Sequence, residues 1–128
     1  MFRHSAQKKK EKSMPNPRPE YPRPILRRDR WLNLNGLWDF AADPDGVGVS
    51  ERWQDRTEWP SAITVPFAPN SAASGCTVDP DVQRVWYHRS FDNPNWQGEE
   101  VILNIGACDF ITTVFVNGHA VGSHTGGY

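Results

Sequence analysis

The chain has 128 residues, which allows one domain at most. Six tryptophans and 12% aromatic residues exclude a wholly disordered polypeptide, and no apolar run approaches the roughly 20 residues that span a bilayer. The net charge of -1 hides a division: residues 1–30 carry ten Lys/Arg against three Asp/Glu (net +7) and residues 31–128 carry four against twelve (net -8), so a basic head precedes an acidic body that would repel nucleic-acid phosphates.

The head, residues 1–20, contains Lys8, Lys9, Lys10 and Lys12. Such a cluster can touch phosphates or serve as an address, but with so little apolar area to bury the segment is expected to be a solvated, disordered tail. A secretory signal needs an apolar stretch after its charges. Ser13-Met14-Pro15-Asn16-Pro17 stands there instead, so a cytoplasmic location is expected. Pro15, Pro17, Pro19, Pro22 and Pro24 then impose an extended lead-in.

Residues 21–128 are expected to form a single domain built of short strands, because the hydrophobic period there is two. GLWDFAA (36–42) and AITVPF (62–67) predict strands. Between them Asp43-Pro44-Asp45-Gly46 is turn chemistry, and SERWQDR (50–56) predicts a helical turn or two. RVWYHRSF (84–91) alternates, with Val85, Tyr87 and Phe91 on one side. Asn93-Pro94-Asn95 marks the next turn, and VILNI (101–105) the next strand. In FITTVFV (110–116), Phe110, Thr112, Val114 and Val116 share one face and Ile111, Thr113 and Phe115 the other. Asn117-Gly118 follows, and Asn-Gly accepts positive φ at both central turn positions, so a hairpin into HAVGS (119–123) is expected. With no internal repeat and no helix of ordinary length, the fold class is all-β, a sandwich or a barrel.

Catalytic and metal chemistry are hard to find in these residues. Cys76 and Cys108 do not make a disulfide scaffold, and no Cys/His spacing suits zinc. The pairs Asp43/Asp45 and Asp79/Asp81 bracket prolines in turns, where Asp serves the backbone. No nucleophile triad, phosphate-binding glycine loop or dinucleotide fingerprint is present. The expected catalytic residues, metal ligands and cofactors are therefore none. Trp38 and Trp86 lie inside strand runs and are expected in the core; Trp53, Trp59 and Trp96 sit near loops, where a flat face could equally serve the core or a sugar.

Four stretches in order carry a resemblance. YPRPILRRDRWLNLNGLWDFAADPDG (21–46) resembles the opening of glycoside hydrolase family 2 enzymes, the β-galactosidase and β-glucuronidase group, with its Pro-Arg-Pro lead and LNGxWxF strand. ITVPFAPNSAASG (63–75) resembles the family's VPFxPES…SG loop, with Asn70 where Glu is usual. VWYHRSFDNP (85–94) is similar to its WYRRxFxxP strand, and VNGHAVGSHTGGY (116–128) to its VNGxxVGxHxGGY hairpin. The resemblance implies a jelly-roll, galactose-binding-like β-sandwich, incomplete at its C-terminus, that precedes a catalytic (β/α)-barrel carrying the two glutamates. It places the loops around Asn70 and around His124, Thr125, Gly126, Gly127 and Tyr128 towards the sugar or the barrel. The implied partners are a carbohydrate substrate and that barrel, with no nucleic acid and no membrane; no oligomeric state is implied. The chain by itself is expected to be inactive, since retaining hydrolysis needs two carboxyls about 5–5.5 Å apart. The alternatives are a free-standing carbohydrate-binding module, which should be a closed sandwich, and a nucleic-acid binder using the Lys-rich head.

Overall fold

The computed structural model describes residues 16–96, 98 and 100–128. Its central strand, β1 (Gly36–Ala42), alternates as the period of two requires, with Trp38 and Phe40 on one side and Leu37, Asp39 and Ala41 on the other. β2 (Ser61–Val65) pairs antiparallel along one edge, with Trp38 opposite Ile63 and Gly36 opposite Val65. β3 (Val85–His88) pairs antiparallel along the other, with Phe40 opposite Tyr87 and Asp39 opposite His88. A separate two-stranded sheet is the hairpin of β4 (Ile111–Val116) and β5 (His119–Thr125). Apart from three short 3-10 turns, Pro24–Leu26, Trp53–Asp55 and Ala72–Ser74, the described elements are strands. The class is all-β with two antiparallel sheets, consistent with a β-sandwich.

Directly opposed residues of an antiparallel pair share a face, so the three-stranded sheet has two distinct sides. One holds the core of Phe40, Ile63 and Cys76, with Trp38, Val65 and Val78 packed against it. Phe40 meets Tyr87 edge-on at 5.1 Å. Cys76 and Val78 come from the loop after β2, which folds over this side, and the buried Ser74 hydroxyl donates to the Ser71 and Cys76 carbonyls.

The second side is organised by one carboxylate. Asp43 directly follows β1 and is only 2% exposed. It accepts hydrogen bonds from the amides of Val47 (2.9 Å) and Gly48 (3.0 Å) and from the Trp86 indole N–H (3.1 Å). Burial alone would raise its pKa; the hydrogen bonds from Trp86, Gly48, Val47 and Gly46 outweigh burial and hold the carboxyl below its ordinary 3.8. Trp86 in turn touches Trp53 (6.0 Å between centroids) and stacks on Phe115 of the hairpin (5.7 Å, 26°). The Arg56 guanidinium covers the Trp53 ring at 3.7 Å. The sequence Arg56–Trp53–Trp86–Phe115 thus ties the loop after β1, the sheet and the hairpin together.

The hairpin turn has φ of +49° at Asn117 and +80° at Gly118, the conformation its sequence predicts. Asp55 lies against it; a Cβ on Gly118 would fall 2.5 Å from the Asp55 carboxylate. Pairing slips by one residue between Val114 and Phe115, which leaves Val121 without an opposite number.

Some expectations shift. SERWQDR contributes only the single 3-10 turn Trp53–Asp55. Residues 101–105 form no strand, and Val101, Ile102, Leu103 and Ile105 are 45–61% exposed. Alternation provides a face, but a strand exists through lateral pairing, and no described strand pairs with this stretch. The expected disorder of the head lies, for residues 1–15, outside the described residues. Of the remainder, Arg18 accepts a hydrogen bond from the Asn33 amide at 3.0 Å and Pro17 one from the Asn35 amide at 3.3 Å, both on main-chain carbonyls.

The packing at Trp86 gives a direct test. A Cβ on Gly48 would lie 2.2 Å from the indole nitrogen, so Gly48→Ala is expected to lower stability by about 1–3 kcal/mol in urea unfolding, whereas Gly75→Ala meets no neighbouring atom and carries only its backbone cost. A pH test follows from Asp43. Its folded-state pKa is depressed, so its contribution is present above the unfolded value and is lost as pH falls through the folded one. Asp43→Asn is expected to cost about 1.5–3 kcal/mol near neutrality, with the gap to the parent closing below about pH 4. A gap that stays constant into acid would show that the charge on Asp43 is irrelevant.

Candidate functional site

The register of β4 and β5 places Thr112 opposite His124 and Val114 opposite Gly122, so all four share a face of the hairpin. The segment before β4 lies across that face. It is held by main-chain hydrogen bonds from Cys108 to the Gly127 carbonyl (3.1 Å) and from Gly126 to the Phe110 carbonyl (2.8 Å). Between them lies a hollow of about 230 Å³ lined by Ile105, Cys108, Thr112, Val114, His124 and Tyr128 among others. A neighbouring hollow of about 340 Å³ adds Asp109 and Gly127. The lining is mostly apolar, with an imidazole and a phenol at the rim, a composition that suits the C–H face of a small polar molecule.

The predicted residues divide between two places. His124, Thr125, Gly126, Gly127 and Tyr128 stand together at the end of β5. His124 Nε2 lies 3.0 Å from the main-chain oxygen of Tyr128, on the exposed side of the turn. Gly126 has φ of +136°, and a Cβ there would lie 3.1 Å from His124 Nε2, so only glycine lets the chain turn this close. The Thr125 side chain is exposed opposite Ile111, and Tyr128 is 98% exposed. Asn70 is elsewhere, in the loop after β2, and among the described residues no hydrogen bond joins it to the other five. Its φ is +66°, its amide donates to the Cys76 carbonyl (2.9 Å) and its Oδ1 accepts from the Val78 amide (2.8 Å). The asparagine is thereby committed to its own turn.

Sequence reasoning passed over a polar cluster on the second side of the sheet. His88 Nδ1 is 2.8 Å from Asp39 Oδ2, and the imidazole stacks on Trp59 at 5.2 Å and 10°. The Trp59 indole nitrogen is buried with no hydrogen-bond partner among the described residues. Only the β1–β3 register, Asp39 opposite His88, brings these groups together. An Asp–His pair can relay a proton, but no Ser, Thr or Cys side chain is hydrogen-bonded to His88 among the described residues, so the pair lacks a nucleophile. Of the loop tryptophans, Trp53 is buried and Trp59 is stacked, which leaves neither as a free platform for a ligand. Burial pushes the Tyr87 phenol up to about 12, with a smaller push from the thiolates of Cys108 and Cys76, so it stays neutral across ordinary pH. Among the described residues no group of three His, Cys, Asp or Glu could hold a metal ion, and no helix is long and apolar enough to cross a membrane.

The fold is all-β with two antiparallel sheets, and comparison with known proteins supplies the family. No protein-family model matches the sequence. The chain is 34% identical over 114 residues to a β-glucuronidase of Paenibacillus borealis, a match that covers 84% of this chain and 18% of that protein. It is 34% identical over 119 residues to the β-glucuronidase of Canis lupus familiaris, with the same coverage, and 33% identical over 106 residues to that of Homo sapiens, covering 74% of this chain and 16% of the human protein. The chain belongs to glycoside hydrolase family 2 and spans less than one fifth of the length of these relatives.

The geometry at Asn70 separates a turn role from a ligand role. Asn70→Ala loses both the hydrogen bond to Val78 and a residue type that tolerates positive φ, and is expected to lower unfolding free energy by about 1–3 kcal/mol. Asn70→Gly keeps the φ and should recover part of that loss in the same urea experiment.

Proposed function

We propose that this chain is the accessory β-sandwich segment of a family 2 glycosidase, that it buttresses a catalytic barrel supplied by further polypeptide, and that it presents the loop His124–Tyr128 to the carbohydrate side of that barrel. The observation that supports this most is the match to β-glucuronidases over 84% of the chain and only 18% of the relative. Retaining glycoside hydrolysis needs two carboxyls about 5–5.5 Å apart, and that chemistry is assigned here to the remainder of such an enzyme. The relatives are β-glucuronidases, and a β-glucuronoside is the substrate class proposed for the assembled protein. Within the loop, the exposed Tyr128 ring offers a stacking face and the His124 imidazole a polar edge beside an apolar hollow. Asn70 is assigned a supporting role, since its side-chain oxygen is already occupied.

The purified chain is expected to show no turnover of aryl β-glucuronide, β-galactoside or β-mannoside. In a polypeptide extended to the length of the relatives, Tyr128→Ala and His124→Ala are each expected to raise KM by about three- to tenfold, the loss of one modest contact, while Asn70→Ala lowers stability and leaves KM unchanged. Unaltered kinetics in both loop variants would remove the loop from the substrate side. Turnover by the isolated chain that disappears on mutation of a single acid would overturn the accessory role itself.

A further inference from the structure

Asparagine precedes glycine twice in this chain, at Asn35-Gly36 and at Asn117-Gly118. The side-chain amide carbon of an asparagine is a latent electrophile, and the next main-chain nitrogen is a nucleophile held beside it by the chain itself. Glycine, with no Cβ, leaves that nitrogen least hindered and its backbone freest to turn. The structure holds the two pairs very differently. The Asn35 amide donates to the main-chain carbonyls of Pro17 (3.3 Å) and Arg18 (3.4 Å), and Gly36 stands in the β1–β2 ladder opposite Val65. Asn117 and Gly118 form the tip of the β4–β5 hairpin, with φ of +49° and +80°, beyond the last ladder pair of Val116 and His119. Among the described residues no hydrogen bond engages the Asn117 side chain or the Gly118 amide.

We propose that Asn117 is a site of spontaneous covalent modification, converting with time to aspartate and isoaspartate, and that Asn35 is protected. The Gly118 nitrogen gives its proton to hydroxide and attacks Asn117 Cγ. The new N–C bond closes a cyclic imide, and the side-chain nitrogen leaves as ammonia. Water then opens the imide at one carbonyl to give aspartate or at the other to give isoaspartate. Reaction at Asn117 needs only the hairpin tip to open. Reaction at Asn35 must first break the bonds to Pro17 and Arg18 and draw Gly36 out of the sheet. The position has a structural consequence, because the Asp55 carboxylate lies against Gly118 while paired with Arg52 at 2.7 Å. Aspartate at 117 sets a second negative charge beside it. Isoaspartate adds a carbon to the main chain of a turn whose length fixes the strand register. Either product loosens the hairpin from the Trp53–Asp55 turn and from Trp86. The modification is independent of the accessory role in a glycosidase.

Peptide mapping by mass spectrometry of the full chain during incubation at mildly alkaline pH tests it, with a sample in urea as the reference in which both pairs are released. In the folded chain Asn117 is expected to convert first, to both products, and Asn35 more slowly by about tenfold or more, since its bonds must break beforehand. Asn117→Gly keeps the positive φ and removes the reactive amide, so only the slow conversion at Asn35 should remain. Asn117→Asp should lower the folded-to-unfolded ratio by about two- to fivefold through repulsion from Asp55, and Asp55→Asn in the same chain should recover part of that loss. Equal rates at the two sites in the folded chain, or an unchanged Asn117 while the urea sample converts, would overturn the assignment of the site. An Asn117→Asp chain as stable as the parent would overturn the coupling to Asp55.

Discussion

The buried contact between the Asp43 carboxylate and the Trp86 indole decides how the second side of the sheet is organised. It joins the end of β1 to β3, residues 43 positions apart in the chain. The same carboxylate gathers the amides of Val47 and Gly48 and so bends the following loop back over the sheet. An ionised group this deep is tolerable only with several donors around it. Once it is satisfied, Trp86 is fixed as the surface on which Trp53 and Phe115 pack. The first side has no buried charge at its centre: Phe40, Ile63 and Cys76 close on each other by apolar contact, with the neutral Ser74 hydroxyl tying down the covering loop. The two sides thus rely on different physics, one on a charged hydrogen-bond centre and the other on hydrophobic burial.

The candidate surface depends on this arrangement at one remove. The hairpin bearing His124 to Tyr128 shares no strand pairing with the three-stranded sheet; the contacts that link it to the sheet side include Phe115 on Trp86 and Asp55 against the Asn117-Gly118 turn. The loop is therefore placed through an aromatic contact on one face of the hairpin while its opposite face, Thr112 and Val114, forms the hollow. Asp43, through Trp86 and Phe115, thereby bears on where the hairpin that carries His124 stands.

What could be read in the sequence was what depends on near neighbours. The Asn117-Gly118 turn was legible because both residues carry the conformational preference in themselves. β1 was legible from Trp38 and Phe40 at a spacing of two, the same period repeated along the chain carried the all-β class, and the four family stretches added the sandwich. The stretch 101–105 misled, because its alternation says nothing about whether a partner strand is alongside. At Asn70 the sequence showed a polar loop residue, but neither its positive φ nor its bond to the Val78 amide. Asp43 was recognised as a turn residue, but its bond to Trp86 and the stack of His88 on Trp59 arise from register across the sheet, which no local window contains.

The arrangement of indoles has an optical consequence. Trp53 and Trp86 lie 6.0 Å apart at an angle of 52°, close enough for their excited states to mix and far enough from parallel for the mixing to be chiral. Such a pair is expected to give an exciton couplet in the far-ultraviolet circular dichroism that reports the closure of the loop over the sheet. The packing of Trp53 on Trp86 can therefore be followed in solution by its own ultraviolet signal, without a label and without a ligand.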